Sequence, residues 1–261
     1  MKANFHTHTE LCRHAQGKPE DYAEEAVKKG LSLLAFTDHA PFPDADYGYR
    51  MMYNELDLYI EEVLKTREDY SSKLKVLNSV EIEYLPKYEN LNYYDWLLSQ
   101  KNMDFLLLGQ HFFETKTGSI QNITSLPQAE LAVEYAESCR RAMKTGYFKI
   151  MAHPDLFCIN EQFSWNDFYE KASDIIIESA LLTGTRLEYN ANGLRRGIKH
   201  YPDGDRYQYP HENFWKKVQE AGISVIAGSD AHSPEVLWDS AMEGAVQNLK
   251  AMNLKTELIN A

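Results

Sequence analysis

The chain alternates short apolar runs with longer stretches in which apolar residues recur at helical spacing, and this unit repeats along its length. The runs rich in aliphatic and β-branched residues predict strands near Ala3–His6, Leu33–Thr37, Lys75–Val80, Phe105–Leu108, Phe148–Ala152, Arg186–Tyr189 and Ser224–Ala227. Short, continuous hydrophobic runs of this kind belong to parallel strands covered on both faces. Amphipathic helices are predicted between them at Pro19–Lys29, opened by a proline and closed by Gly30, and at Glu55–Tyr70, Pro127–Lys144, Trp165–Leu182, His211–Ala221 and Pro234–Leu249. With right-handed crossovers, such alternation leaves a doubly wound sheet or a closed barrel. No linker, low-complexity tract or charge block divides the chain, so residues 1–261 are expected to form one α/β domain.

The polar positions that follow the strands carry the chemistry. Each of the first five predicted strands, and the seventh, runs into a His, Glu or Asp at or just beyond its C-terminal end. In parallel α/β folds the loops leaving those ends share one face, so residues distant in sequence converge there. The first strand delivers His6-Thr7-His8, with His14 in the following loop, and the second delivers Thr37-Asp38-His39. The third ends in Val80-Glu81-Ile82-Glu83, the fourth in Gly109-Gln110-His111, the fifth in His153-Pro154-Asp155 and the seventh in Ser229-Asp230-Ala231-His232. The sixth runs into Asn190 and Asn192. Of 9 histidines only His200 and His211 lie elsewhere, a distribution that solvated loop composition does not explain.

His6, His8, His14, His39, Glu81, His111, His153, Asp230 and His232 are too many donors for one four-coordinate ion and suit a site of two or three metals. Imidazole and carboxylate without thiolate select Zn²⁺, Mn²⁺ or Fe²⁺. Glu81, with two oxygens, is the natural bridge between ions, which phosphoryl-transfer sites hold about 3.5–4 Å apart.

Composition changes this picture little: 44% hydrophobic and 25% charged residues are ordinary for a globular chain. The net charge of −12 disfavours nucleic acid as a partner, while a site of two or three such metals suits a small-molecule phosphate ester. Cys12, Cys139 and Cys158 fit neither a disulfide framework nor a paired-cysteine zinc knuckle. No run approaches the roughly 18 apolar residues of a membrane span and no signal-peptide core follows Met1, so the expected location is the cytoplasm.

In their order along the chain, His6-Thr7-His8, Thr37-Asp38-His39, Val80-Glu81-Ile82-Glu83, His111, His153-Pro154 and Ser229-Asp230-Ala231-His232 resemble the polymerase and histidinol phosphatase (PHP) superfamily. Residues 6–17, Thr37-Asp38-His39-Ala40-Pro41, residues 80–84 and residues 187–196 are similar to its stand-alone histidinol-phosphate phosphatases, which serve histidine biosynthesis. The resemblance implies a distorted seven-stranded (β/α) TIM-like barrel of parallel strands. It also implies three subsites: His6, His8, Glu81 and Asp230; Glu81, His111 and His153; and His14, His39 and His232. The implied substrate is L-histidinol phosphate.

Hydrolysis by a metal-bound hydroxide is the expected reaction, because a bound cation brings the pKa of water toward about 7. Besides Glu81, Asp230 or Asp155 is a candidate to relay the proton to the leaving alkoxide. Arg195 and Arg196, near Asn192 beyond the sixth strand, are the first choice for gripping phosphate oxygens, with Arg13 beside His14 as a further choice. Glu83, by its alternation with Glu81, is placed to meet a substrate amine or to orient a ligand. Two other readings stay open: the same site acting on another phosphomonoester or phosphodiester, and a non-catalytic metal-binding module.

Overall fold

The computed structural model describes residues 2–256, and the ends of the expected 1–261 unit lie outside them. The chain runs through β1 (Lys2–Asn4), α1 (Pro19–Lys28), β2 (Leu31–His39), α2 (Leu56–Asp69), β3 (Lys75–Ile82), α3 (Pro86–Asn90), α4 (Tyr93–Ser99) and β4 (Phe105–Leu108). A hairpin of β5 (Phe112–Glu114) and β6 (Ile120–Asn122) follows, then α5 (Leu131–Thr145), β7 (Phe148–Met151), α6 (Asp167–Thr183), β8 (Arg186–Asn190) and α7 (Ala191–Arg195). A second hairpin, β9 (Ile198–Tyr201) and β10 (Gly204–Tyr207), precedes α8 (Glu212–Ala221), β11 (Val225–Gly228) and α9 (Ser240–Ala251).

All seven predicted strands form one 7-stranded sheet in the order β1-β2-β3-β4-β7-β8-β11, and every pairing within it is parallel. The sheet curls into a nearly closed barrel. Its seam is joined past the ends of β1 and β11, where His8 N–H donates to Ala231 O (2.9 Å), Ala231 N–H to His6 O (3.3 Å) and Ser229 N–H to Asn4 Oδ1 (2.8 Å).

Side chains alternate between the two faces of each strand, which sorts the residues. Inside the barrel, Phe5, Leu33, Ala35, Leu77, Phe105, Leu107, Ile150, Ala152 and Ile226 pack into a small apolar plug. Outward residues such as Leu34, Phe36, Val76, Val80, Leu106 and Leu108 join the larger core under the helices. Continuing the inward row of β3 two residues at a time takes Leu77 to Ser79 and then to Glu81, so the polar end of the barrel sits directly above the plug.

Helix ends follow their local chemistry. Asn166 caps α6 by accepting from the Phe168 and Tyr169 amides, and Gly184, at φ 73°, closes it in the left-handed conformation that glycine adopts without steric cost. The segment expected as one helix from Pro234 to Leu249 is instead a 3₁₀ turn at Pro234–Val236 and then α9, because Asp239 caps the new start. Residues 127–130 form turns before α5 rather than its first turn. Both hairpins and the short helices α3, α4 and α7 lack a periodic signal, each being seven residues or fewer.

Candidate metal centre

The strand ends deliver the nine expected side chains to one place at the C-terminal mouth. Glu81, 1% exposed, is the hub: its carboxylate lies 3.2 Å from His6 Nε2, 3.4 Å from His8 Nε2, 3.2 Å from His39 Nδ1, 3.6 Å from His111 Nε2 and 3.0 Å from His153 Nε2. Asp230 faces it across the barrel, 3.2 Å from His8 Nε2, 3.6 Å from His6 Nε2 and 3.4 Å from His232 Nδ1. His14 joins at the outer edge, its Nε2 2.9 Å from His232 Nε2. The backbone is bent to achieve this: His153 has φ 30° and Asp230 φ 50°, values that non-glycine residues hold only where surroundings enforce them.

Proton positions show what the cluster requires. His14 Nδ1–H donates to Cys12 O (2.9 Å) and His232 Nδ1–H to Asp230 O (3.0 Å), since a carbonyl only accepts. In neutral rings both Nε2 atoms therefore point lone pairs at each other. His6 repeats the pattern, because Nδ1–H donates to Glu188 while Nε2 faces His8 Nε2 at 3.0 Å and Glu81. Converging lone pairs are repulsive unless a cation lies among them, and imidazole with carboxylate is the donor set of borderline divalent ions.

Without a metal ion, protons fill part of that role at His6 and His8, both of which are held well above the usual imidazole value. Burial opposes a charge on His6, yet Glu188, Asp230 and Glu81 outweigh it and hold the ring well above the usual imidazole value. Burial likewise opposes ionisation of Glu81, but His6, His39 and His111 hold it well below the usual carboxylate range, and Asp230 is lowered in the same way by His6 and His8. His232 falls to about 4 through burial and the neighbouring His8, which leaves its lone pair free. The pocket concentrates negative charge that asks for cations. Several donor triads, among them His6-His8-Glu81, His6-His153-Asp230 and His8-His39-His232, have ligand atoms within 4.8 Å of one another.

Around these donors lies an open cavity of roughly 680 Å³, walled by Tyr47, Tyr49, Arg50, Phe112, Arg196 and Tyr209 among others. The expected substrate residues divide here. Asn192 and Arg196 line the cavity, Asn192 donating to Asp230 Oδ2 (3.2 Å) and Arg196, an exposed residue, resting 5.9 Å from the Tyr209 ring centre. Arg195 also reaches the wall, but its guanidinium is spent on Asp239 (2.7 and 3.1 Å), Ser229 O and Oγ (2.7 and 2.9 Å) and Val236 O (3.0 Å). It clamps α7 to the start of α9.

Glu83 lines the cavity with both oxygens engaged, by Arg50 (3.0 and 3.2 Å) and by His111 Nδ1 (3.3 Å), so it orients His111 and is not free for a substrate amine. Two expectations are corrected outright. Arg13 turns away to pair with Glu55 and does not line the cavity. Asp155 is buried behind the site, accepting from His211 N–H (2.6 Å) and the Trp215 indole (3.2 Å); burial pushes it up to about 7, and it does not reach the cavity as a proton relay would.

Sequence reasoning missed Glu188 and Arg50, and named Asp38 and Asn190 without assigning them a role. Glu188 had a signal, an acid inside the apolar run Leu187-Glu188-Tyr189 and on the same face as Asn190. Asp38, which accepts from Thr9 N–H (3.1 Å) and the Thr9 hydroxyl, sits in the quoted Thr37-Asp38-His39 motif but gave no indication of its partner. Arg50 comes from an irregular loop and offered none.

A nearly closed parallel barrel with imidazoles and carboxylates gathered at its C-terminal mouth defines an α/β-barrel protein built around a metal-type site. The model described as the PHP domain matches residues 4–192, and the chain belongs to that family. Asp230 and His232 lie beyond the matched residues and complete the cluster. A probable histidinol-phosphatase of Deinococcus radiodurans is 28% identical over 240 residues, 88% of this chain and 85% of its own. The histidinol-phosphatase of Bacillus subtilis is 24% identical over 262 residues, 89% of this chain and 94% of its own. A histidinol phosphate phosphatase of Lactococcus lactis, solved in complex with zinc, L-histidinol and phosphate, superposes with a TM-score of 0.73 at 15% identity over 98% of this chain and 95% of that one, which shows a common fold. Among the described residues no helix is long and apolar enough to cross a membrane.

Proposed function

We propose that the protein is a phosphoric monoester hydrolase that converts L-histidinol phosphate to L-histidinol and phosphate, using two or three divalent ions (Zn²⁺, Mn²⁺ or Fe²⁺) held by the nine clustered residues, the whole chain acting as one unit. The observation that carries this reading is Glu81 at the centre of five imidazoles beneath an open cavity with Arg196 on its wall. The named histidinol-phosphatases support the substrate, and the Lactococcus lactis complex supports both the substrate and the presence of zinc.

His6, His8, Glu81 and Asp230 would hold one ion, Glu81, His111 and His153 a second, and His14, His39 and His232 a third. Divalent ions at such positions supply Lewis acidity toward a phosphoryl group and a nucleophile derived from water at neutral pH. Arg196 offers the phosphate a planar pair of donors from the rim, and Asn192 keeps Asp230 aimed inward. Asp230 stays ionised and acts as a ligand, its low pKa making it a poor acid. Glu83, clamped by Arg50, holds His111 in place through Nδ1.

The test is a steady-state comparison of L-histidinol phosphate with several small phosphomonoesters and a phosphodiester, using protein loaded with Zn²⁺ or Mn²⁺. A kcat/KM for L-histidinol phosphate at least about 100-fold above the others, worth ~2.7 kcal/mol, is expected. Comparable values across the set would remove the substrate assignment, and no turnover of any ester would remove the enzyme. The two arginines separate further. Arg196→Ala is expected to raise KM about tenfold with stability unchanged, as loss of an exposed phosphate grip should. Arg195→Ala is expected to cost about 2 kcal/mol of stability by freeing Asp239 and two carbonyl acceptors. A KM effect confined to Arg195 would reverse the assignment.

A further inference from the structure

Beneath the cluster, in the wall of the barrel, lies a carboxylate that the proposed reaction does not use. Glu188, on β8, is 0% exposed. It accepts from His6 Nδ1–H with both oxygens (2.9 and 3.1 Å), from the His153 backbone N–H (3.1 Å) and from Asn190 Nδ2–H (2.8 Å). Asn190 Nδ2 also donates to Asp230 Oδ2 (3.2 Å). One side chain thus fixes the ring of His6 and the strained backbone of His153, and through a single amide the carboxylate of Asp230. These are three donors whose ligand atoms lie within 4.8 Å of one another. The barrel makes room for it at Gly228, where a Cβ would fall 1.7 Å from Glu188 Oε1.

We propose that Glu188 is a positioning residue that sets two of the three metal subsites at once, the one containing His6 and Asp230 and the one containing His153, while the outer set of His14, His39 and His232 is independent of it. The inference rests on the metal-site reading above. A carboxylate on the far nitrogen of a ligating histidine fixes its tautomer and raises its basicity. Glu188 does this for His6 and in addition holds the backbone bend that brings His153 to Glu81. Its three partners are all donors, so the position demands a group that only accepts. An amide of the same shape would aim its own N–H at one of them.

That requirement gives a test in which shape and chemistry disagree. Wild type, Glu188→Gln and Glu188→Asp are titrated with Zn²⁺ and with Co²⁺ against a chromophoric chelator, and the visible spectrum of each Co²⁺-loaded protein is recorded. Glu188→Gln is expected to weaken two of the bound ions 10- to 100-fold and to alter the Co²⁺ absorption, while the remaining ion binds as in wild type. Glu188→Asp, shorter but acceptor-only, is expected to bind metal more tightly than Glu188→Gln. Gly228→Ala, which displaces Glu188 without changing it, is expected to reproduce the loss. Wild-type affinity and spectrum in Glu188→Gln would overturn the proposal. Equal impairment in Gln and Asp would too, since it would mean that only packing matters. If wild type itself binds no divalent ion, the metal-site reading fails and this inference with it. Wild-type binding with an unaffected Glu188→Gln fails the inference alone.

Discussion

Glu81→Gln is expected to lower kcat/KM for L-histidinol phosphate by on the order of 10³-fold or more, ~4 kcal/mol of lost transition-state stabilisation, and to leave the protein depleted of metal. The side chain is buried at the point where five imidazoles meet. Glutamine fills the same space, so little of the effect comes from packing. It removes the negative charge that draws cations into the cluster, and it replaces an oxygen by an N–H that would face the His6 and His8 side or the His111 and His153 side. Either choice turns a donor toward a set of lone pairs meant for a cation. Metal content by elemental analysis, kcat/KM and the melting temperature of the chelator-treated proteins are the measurements. Full metal content with near-normal turnover would show that the hub is misassigned. A large fall in melting temperature without metal present would instead make Glu81 a support of the fold.

How much of this was legible beforehand follows a physical division. A ligand at the end of a parallel strand is announced by the apolar run before it, and that is why His6, His8, His39, Glu81, His111, His153, Asp230 and His232 could be named from periodicity alone. The barrel strands were legible for the same reason, being buried on both faces. What a side chain does once it arrives depends on partners that periodicity does not encode. Arg195 and Arg196 are identical by sequence, yet one is consumed by Asp239, Ser229 and Val236 and the other stands on the cavity rim. Asp155, two residues past His153, lies beyond the strand, just before the 3₁₀ turn Leu156–Ile159, and faces Trp215. Arg13 is adjacent to His14 but sits at φ 72°, a left-handed turn from which it pairs with Glu55. Glu188 was hidden because a charge in the middle of a core strand looks like a flaw in an apolar run until its three donors are seen.

Gly109→Ala is expected to cut kcat/KM by about 10²-fold or more through misplacement of a single ligand. Gly109 follows β4 and has no unusual φ, so alanine is conformationally acceptable there. The obstacle is steric: a Cβ would lie 2.0 Å from Glu81 Oε1, 2.3 Å from its Cγ and 2.4 Å from its Cδ. Relief requires either Glu81 to leave the five histidines or the end of β4 to move outward. The second route is resisted on both sides, by Gly109 N–H donating to Ile82 O (3.2 Å) and by Ala152 N–H donating to Leu108 O (2.9 Å). Overpacking of this kind costs about 1–3 kcal/mol, which the fold can absorb, so the variant should fold and fail at metal retention and turnover. Gly244→Ala in α9 is the control: its nearest neighbour is Leu194 Cδ1 at 4.0 Å, and alanine in a helix interior should add up to about 1 kcal/mol of stability with activity intact. Wild-type turnover in Gly109→Ala would mean that Glu81 has more freedom than its five contacts allow, and the bridging role assigned to it would have to be withdrawn.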